Sequence, residues 1–161
     1  MRNHTAKWVA LYGMLISLAF IFSYIEAAIP IPIPVPGVKL GLANLVSIVG
    51  LYTVGIKGTI AVSLVRIVLV GFTFGNLSSM IYSLAGGTVS LIFMILLKKT
   101  GKFSQVGVSI MGGIGHNIGQ LIAAAFVVET YDIFYYMPFL LIAGVATGFV
   151  IGMLAQEFIL R

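Results

Sequence analysis

Long apolar stretches separated by short polar breaks make up this chain, and this alternation leaves few possible folds. Each stretch is about 20 residues long, the length that a helix needs to cross the hydrocarbon core of a bilayer. Hydrophobic residues make up 60% of the sequence and charged residues only 8%, a balance outside the range of soluble domains. We therefore predict an all-α integral membrane protein, a single six-helix transmembrane bundle with spans at residues 8–28, 38–54, 56–74, 77–97, 106–128 and 134–158.

The charged residues predict how this bundle is oriented. If successive spans alternate in direction, all Lys and Arg residues except Lys39 and Arg66 fall on the same side as the N-terminus. Glu26, Glu129 and Asp132 fall on the opposite side. Because cytoplasmic loops are enriched in Lys and Arg, both termini are predicted to be cytoplasmic, in a multi-pass protein of the cell membrane. The same topology accounts for the net charge of +5 without a nucleic-acid partner.

The break after the first span contains four prolines at alternate positions, Pro30, Pro32, Pro34 and Pro36. Proline fixes its own φ and disfavours helix in the residue before it, so this segment is predicted to be extended. Its intervening residues are apolar, which is unusual for a solvated linker. We interpret residues 29–37 as an extracellular lid over the bundle.

Arg66 lies close to the middle of the third predicted span. A charged side chain at this depth costs several kcal/mol unless it faces a polar interior and has a partner, by scales that give about 2.5–3.5 kcal/mol. Two interpretations are open: Arg66 ties helices together, or it binds an anion, since guanidinium matches carboxylate and phosphate with two parallel hydrogen bonds.

The fifth span carries three polar side chains, His116, Asn117 and Gln120. His116 and Gln120 are spaced i, i+4 and are predicted to share one face of the helix, whereas Asn117 lies about 100° around it. The group is either an interhelical clamp or a ligand site. With no cysteine and only one other histidine, His4, a His-based metal site is not expected, and no cofactor is predicted.

Three further candidates lie towards the outer side. Lys39 and Asn44 follow the proline segment, and Asn44 is predicted to reach nearly the depth of Arg66 and His116. Glu26, near the end of the first span, is expected either to neutralise Arg66 or Lys39 or to be solvated at the interface. Asn76 is either a turn former or a ligand contact.

Small residues at four-residue spacing occur in spans 1, 5 and 6. Such ridges let helices approach closely, either within the chain or between subunits. Gly13 and Ser17 in span 1 are the predicted docking ridge for another membrane subunit.

Several catalytic functions do not fit the sequence. Prenyl-diphosphate synthases need aspartate-rich clusters that hold magnesium, whereas this chain has one aspartate, Asp132. It has neither a phosphate-binding loop motif nor a Ser/His/Asp set at plausible spacing. We therefore expect a binding protein and not an enzyme.

Two motifs resemble a known family. The segment VKLGLAN at residues 38–44 and the segment GHNIGQ at residues 115–120, with Arg66 between them, resemble the Gx transporters, also labelled heptaprenyl diphosphate synthase component I. That family is in turn similar to the substrate-binding S components of energy-coupling factor (ECF) transporters. The resemblance implies an outer pocket closed by the loop between spans 1 and 2, a transmembrane coupling subunit and ATPases as partners, and isoprenoid, quinone or flavin precursors as ligands. S components dock through Ala-x-x-x-Ala in helix 1, where this chain has Gly13 and Ser17.

The expected function is that of a substrate-binding subunit of an uptake transporter for a small anionic or amphipathic solute. The first alternative is a non-catalytic membrane accessory subunit in prenyl-quinone biosynthesis or flavin-linked electron transfer. A second is a small self-assembled channel formed along the glycine ridge of span 6.

Overall fold

The computed structural model describes the backbone of residues 2–29 and 41–159, with side chains from residue 6 onward. Within these ranges the chain is helical, with no strand. The main helices are α1 (Arg2–Ala28), α2 (Asn44–Thr53), α3 (Gly55–Thr73), α4 (Leu77–Thr100), α5 (Gln105–Val128) and α6 (Met137–Ile159), and a short 3-10 helix at Asp132–Tyr136 precedes α6. The prediction of six helices is confirmed. The four prolines and Lys39 lie outside the described residues.

Five of the helices are long and apolar enough to cross a membrane, and α2 is the exception. Its 10 residues span about 15 Å, half the thickness of a bilayer core. Within the described residues this helix begins at Asn44, because Gly41 has φ +89°, outside the helical region. Residues 41–43 form a turn before the helix, and Gly41 and Ala43 are buried inside the bundle.

Local sequence explains where the other helices end. Asn76 caps α4 in a capping box with Ser79, which supports its interpretation as a turn former. Gly101, with φ +66°, ends the same helix, and Ser104 caps α5 by accepting a hydrogen bond from the Gly107 N–H.

Helix α5 is the centre of the bundle and packs along its length against α4 and α6. The close approach depends on small residues: a Cβ at Gly119 would lie 2.6 Å from the Ala85 carbonyl oxygen, and one at Gly148 would lie 2.7 Å from the Ile110 Cα. The small-residue ridges of α5 and α6 are thus used within the chain. Gly13, in contrast, has no neighbouring atom within 4 Å of a built Cβ, and Gly13 and Ser17 are both exposed on α1.

Large apolar side chains cover much of the outer surface, including Val9, Phe72, Phe126, Ile142 and Phe158. Such a surface would be a liability in water but suits a lipid environment. With the five long apolar helices, it identifies a multi-pass membrane protein.

Candidate functional site

Arg66 is a buried charge in the interior of the bundle. Its side chain is 8% exposed, and Nη1 donates a hydrogen bond to Ser23 Oγ on α1 at 3.1 Å. Ser23 Oγ in turn donates to the Ala19 carbonyl at 2.8 Å, so the hydroxyl is oriented to accept from the guanidinium. The arginine is therefore aimed from α3 towards α1.

Glu26 provides the opposite charge. It lies one helical turn after Ser23, is 5% exposed, and interacts electrostatically with Arg66. Its Oε1 accepts a hydrogen bond from the Gly41 N–H at 2.5 Å. Of the interpretations left open for Glu26, a solvated position is therefore wrong. The carboxylate joins α1 to the chain entering α2, and its charge is favourable for the guanidinium of Arg66.

Gly41 brings the start of the second segment against α5. A Cβ built on it would lie 2.8 Å from Asn44 Nδ2 and 2.9 Å from His116 Cδ2. Asn44 and His116 thus both lie close to Gly41, in the direction that a side chain there would take. The positive φ and the lack of space both favour glycine at this position.

His116 and Gln120 contact each other through their Nε2 atoms on one face of α5, as their spacing predicts. Gly86 on α4 makes room for them, since a Cβ there would lie 2.7 Å from Gln120 Cγ and 2.8 Å from the His116 carbonyl oxygen. Both side chains are almost fully buried. They form the wall of the site opposite to α1.

Asn44 carries the clearest unused hydrogen-bonding group. The residue is 7% exposed, and its Nδ2 is buried without an acceptor among the described residues. A buried donor left unsatisfied costs about 1–3 kcal/mol. An acceptor supplied by a ligand would remove this cost.

Asn117 lies outside this cluster. Its Nδ2 donates to the Leu140 carbonyl of α6 at 2.6 Å and lies against Gly144. The structure therefore brings together Glu26, Asn44, Arg66, His116 and Gln120, and places Asn117 at the contact between α5 and α6.

Sequence reasoning missed three participants, Ser23, Gly41 and Ser47. Ser47 Oγ lies 3.5 Å from Ser63 Oγ, one turn from Arg66 on α3. For Ser23 and Glu26 a signal was present, since their i, i+3 spacing puts both on one face of α1. For Gly41 the sequence gave no signal other than its place in the segment VKLGLAN at residues 38–44.

The gathered groups are suited to binding. They offer one guanidinium, one carboxylate, one imidazole and two amides, a set of directional donors and acceptors. Among residues 2–29 and 41–159, no three His, Cys, Asp or Glu side chains are grouped closely enough to hold a metal ion.

Comparison with family models gives a match over residues 15–158 to the family described as heptaprenyl diphosphate synthase component I. The chain belongs to this family. Searches of curated proteins and of solved structures each gave no significant match. The component I match begins in α1 and ends in α6, so every residue of the polar site lies within it.

Proposed function

We propose that this component I chain is the substrate-binding membrane subunit of an ECF-type uptake transporter. Its solute would be a small anionic or amphipathic molecule of the vitamin, quinone-precursor or isoprenoid-precursor class. It would bind without chemical change, in the cytoplasmic membrane, with a coupling subunit and ATPases supplying the energy. The observation that supports this most is the buried Arg66, whose guanidinium donates to Ser23 of α1 and is attracted by the charge of Glu26 on the same helix.

The arrangement of Arg66 favours a ligand over a simple helix tie. In a purely structural polar cluster the buried donors would be paired, whereas Asn44 Nδ2 is buried and unsatisfied among the described residues. An anionic group near Arg66 would accept from both side chains, and Glu26 would keep its second partner, the Gly41 N–H.

The position of Gly41 supports a lid. This residue is the first described one after the proline segment, its N–H is bonded to Glu26, and a Cβ on it would lie 2.9 Å from His116 Cδ2. A proline segment anchored at this point would cover the site. Lys39, two residues earlier, would add a second positive charge.

The exposed small residues of α1 support a partner subunit. Gly13 and Ser17 are not used for packing within the described chain, unlike the glycines of α5 and α6. Small residues free on a membrane-facing helix allow another helix to approach closely.

A thermal-shift screen of the purified protein tests the binding function. The panel contains vitamins, quinone precursors and prenyl phosphates, applied to the wild type, Arg66→Gln and Lys57→Gln. Lys57 is exposed on the same helix, so its substitution removes the same charge away from the site. A binder that stabilises the wild type and Lys57→Gln but not Arg66→Gln supports the proposal. No binder, or one indifferent to Arg66, contradicts it.

The family description favours a second candidate, a non-catalytic membrane component that works with a prenyl diphosphate synthase. Co-purification from the native membrane separates the two. A coupling subunit with ATPases supports the transporter, and a soluble prenyl synthase supports the accessory subunit.

A further inference from the structure

A cavity of about 340 Å³ lies at the C-terminal end of α5, and no residue of the Arg66 site lines it. The last turns of α5 form one side of this cavity, and the loop and 3-10 helix that follow form the other. Its lining residues are Ile122, Ala125, Phe126, Glu129, Tyr131 and Phe134. We call it the Glu129 cavity, because that residue carries the charge of the lining.

The Glu129 carboxylate has no basic partner. The side chain is exposed, and within residues 2–29 and 41–159 it forms no ion pair or hydrogen bond. The sequence between Lys102 and Arg161 contains no Lys or Arg, so α5 and the 3-10 helix supply no positive charge. The negative charge of the cavity is therefore left for a ligand to neutralise.

The end of α5 adds negative potential of its own. The last carbonyls of a helix have no partner inside it, and the helix dipole places about half a negative charge there. The N–H groups of Val54, Phe74 and Gly101 bond back to the ends of α2, α3 and α4. In the described structure the corresponding N–H of Glu129 forms no such bond to α5.

The local sequence preferences at Glu129 are not met. Its backbone has φ 53° and ψ 33°, a left-handed conformation that favours glycine. The C-terminus of a helix also favours a basic side chain over a carboxylate. Residues that break local preferences in this way are expected at functional positions. A bound cation would offset the unfavourable interaction between the carboxylate and the helix dipole.

Three aromatic side chains complete the lining, and their ring faces attract cations. Phe126 and Tyr131 are largely exposed, and Phe134 is half-buried. Aromatic residues at a membrane–water interface also have a general anchoring role, which suits Tyr135 outside the lining. The three lining aromatics differ from it because they share a cavity with a carboxylate.

We propose that the Glu129 cavity binds an organic ammonium group. The carboxylate neutralises the charge, and the aromatic faces contact the alkyl substituents. A metal ion fits less well, because hard cations take several oxygen ligands and the lining offers one carboxylate among apolar and aromatic groups. Free solutes and lipid head groups both carry ammonium groups. The site is independent of the function proposed for Arg66.

The test measures the dissociation constant of choline by saturation-transfer NMR, with the purified protein in maltoside micelles. The second probe is the uncharged tert-butyl analogue of choline, in which carbon replaces the nitrogen. The wild type should bind choline at least about tenfold more tightly than this analogue, since both have the same shape and only choline is charged. Glu129→Gln should remove most of this difference.

Matched variants separate the cavity from its surroundings. Asp132→Asn removes the same charge from a nearby residue outside the lining, and should leave choline binding within about twofold of the wild type. Tyr131→Leu should weaken choline binding about threefold. Tyr135→Leu should have no effect, although the two tyrosines are 84% and 83% exposed.

Glu129→Gly guards against a loss of binding that only reflects poor folding. Glycine suits the left-handed backbone at this position, so the variant should have a higher Tm than the wild type and still lose choline binding.

Native mass spectrometry with phosphatidylcholine and phosphatidylglycerol of the same acyl chains identifies the source of the ammonium group. Preferential retention of phosphatidylcholine that is lost in Glu129→Gln assigns the site to a lipid head group. Equal retention of the two lipids, with Glu129-dependent choline binding, assigns it to a free solute.

Two results would overturn the proposal. The first is the absence of any Glu129-dependent preference, either for choline over its analogue or for phosphatidylcholine over phosphatidylglycerol. The second is an equal loss of choline binding in Glu129→Gln and Asp132→Asn, which would show that general negative charge at this end of the bundle attracts the cation.

Discussion

The charge pair of Glu26 and Arg66 allows a quantitative prediction about the stability of the bundle. Both side chains are buried and their charges attract each other, so removing either one should destabilise the bundle, by about 3–5 kcal/mol if they behave as a buried pair. The Glu26 carboxylate keeps the Gly41 N–H as a partner in Arg66→Gln, so we expect the lower end, about 3 kcal/mol. Glu26→Gln keeps an acceptor for that N–H but leaves the guanidinium only Ser23, so a similar loss follows.

The double variant Glu26→Gln/Arg66→Gln carries no buried charge at this point. We expect it to lose only about 1 kcal/mol, because the amides can still bond to Gly41 and Ser23. The coupling between the two sites would then be several kcal/mol. Reversible unfolding in mixed micelles, followed by circular dichroism, measures the four free energies of unfolding. If the two single losses simply add in the double variant, Glu26 is not the counter-charge of Arg66 and the account of the site is wrong.

Three further predictions concern two glycines, each with a matched control, and one lysine. Gly41→Ala should weaken ligand binding at least about tenfold, because its Cβ would meet Asn44 and His116. Gly55→Ala is the control, since Gly55 also has a positive φ, +77°, and therefore carries a similar backbone strain of about 1–2 kcal/mol, but has open space around its Cβ. An equal loss of binding in both variants would refute the steric explanation. Gly148→Ala should lower the free energy of unfolding by about 1–3 kcal/mol, since backbone atoms of α5 cannot yield, while Gly13→Ala should be neutral. The Leu51 carbonyl near the end of α2 accepts a hydrogen bond from Lys98 Nζ. Lys98→Met removes this bond and should therefore speed hydrogen exchange of the backbone amides at that end of α2. Unchanged exchange rates would show that the bond does not stabilise the helix end.

Features that depend on a single helix could be predicted from the sequence. The i, i+4 spacing of His116 and Gln120 predicted their contact, and the apolar stretches gave the positions of five long helices to within a few residues. These features depend on helical periodicity and length, which are local properties. The buried state of Arg66 followed in the same way from its depth in α3.

Features that depend on the pairing of helices were not predictable. Ser23 as the partner of Arg66, and Leu140 as the partner of Asn117, need knowledge of which helices are neighbours and at what rotation. The late start of α2 depends on the left-handed backbone of Gly41, which composition does not reveal. The role of Glu26 could not be decided from the sequence either, because its depth in α1 could be estimated but not which part of the chain it faces.

The most direct test of the Arg66 site is to identify what the protein retains when it is purified from its native membrane. The wild type, Lys57→Gln and Arg66→Gln would be isolated in a mild detergent, and bound small molecules would be extracted and analysed by mass spectrometry. We predict an anionic amphiphile at close to one molecule per chain in the wild type and in Lys57→Gln, and its loss in Arg66→Gln. The same molecule retained in equal amount by Arg66→Gln would contradict the account.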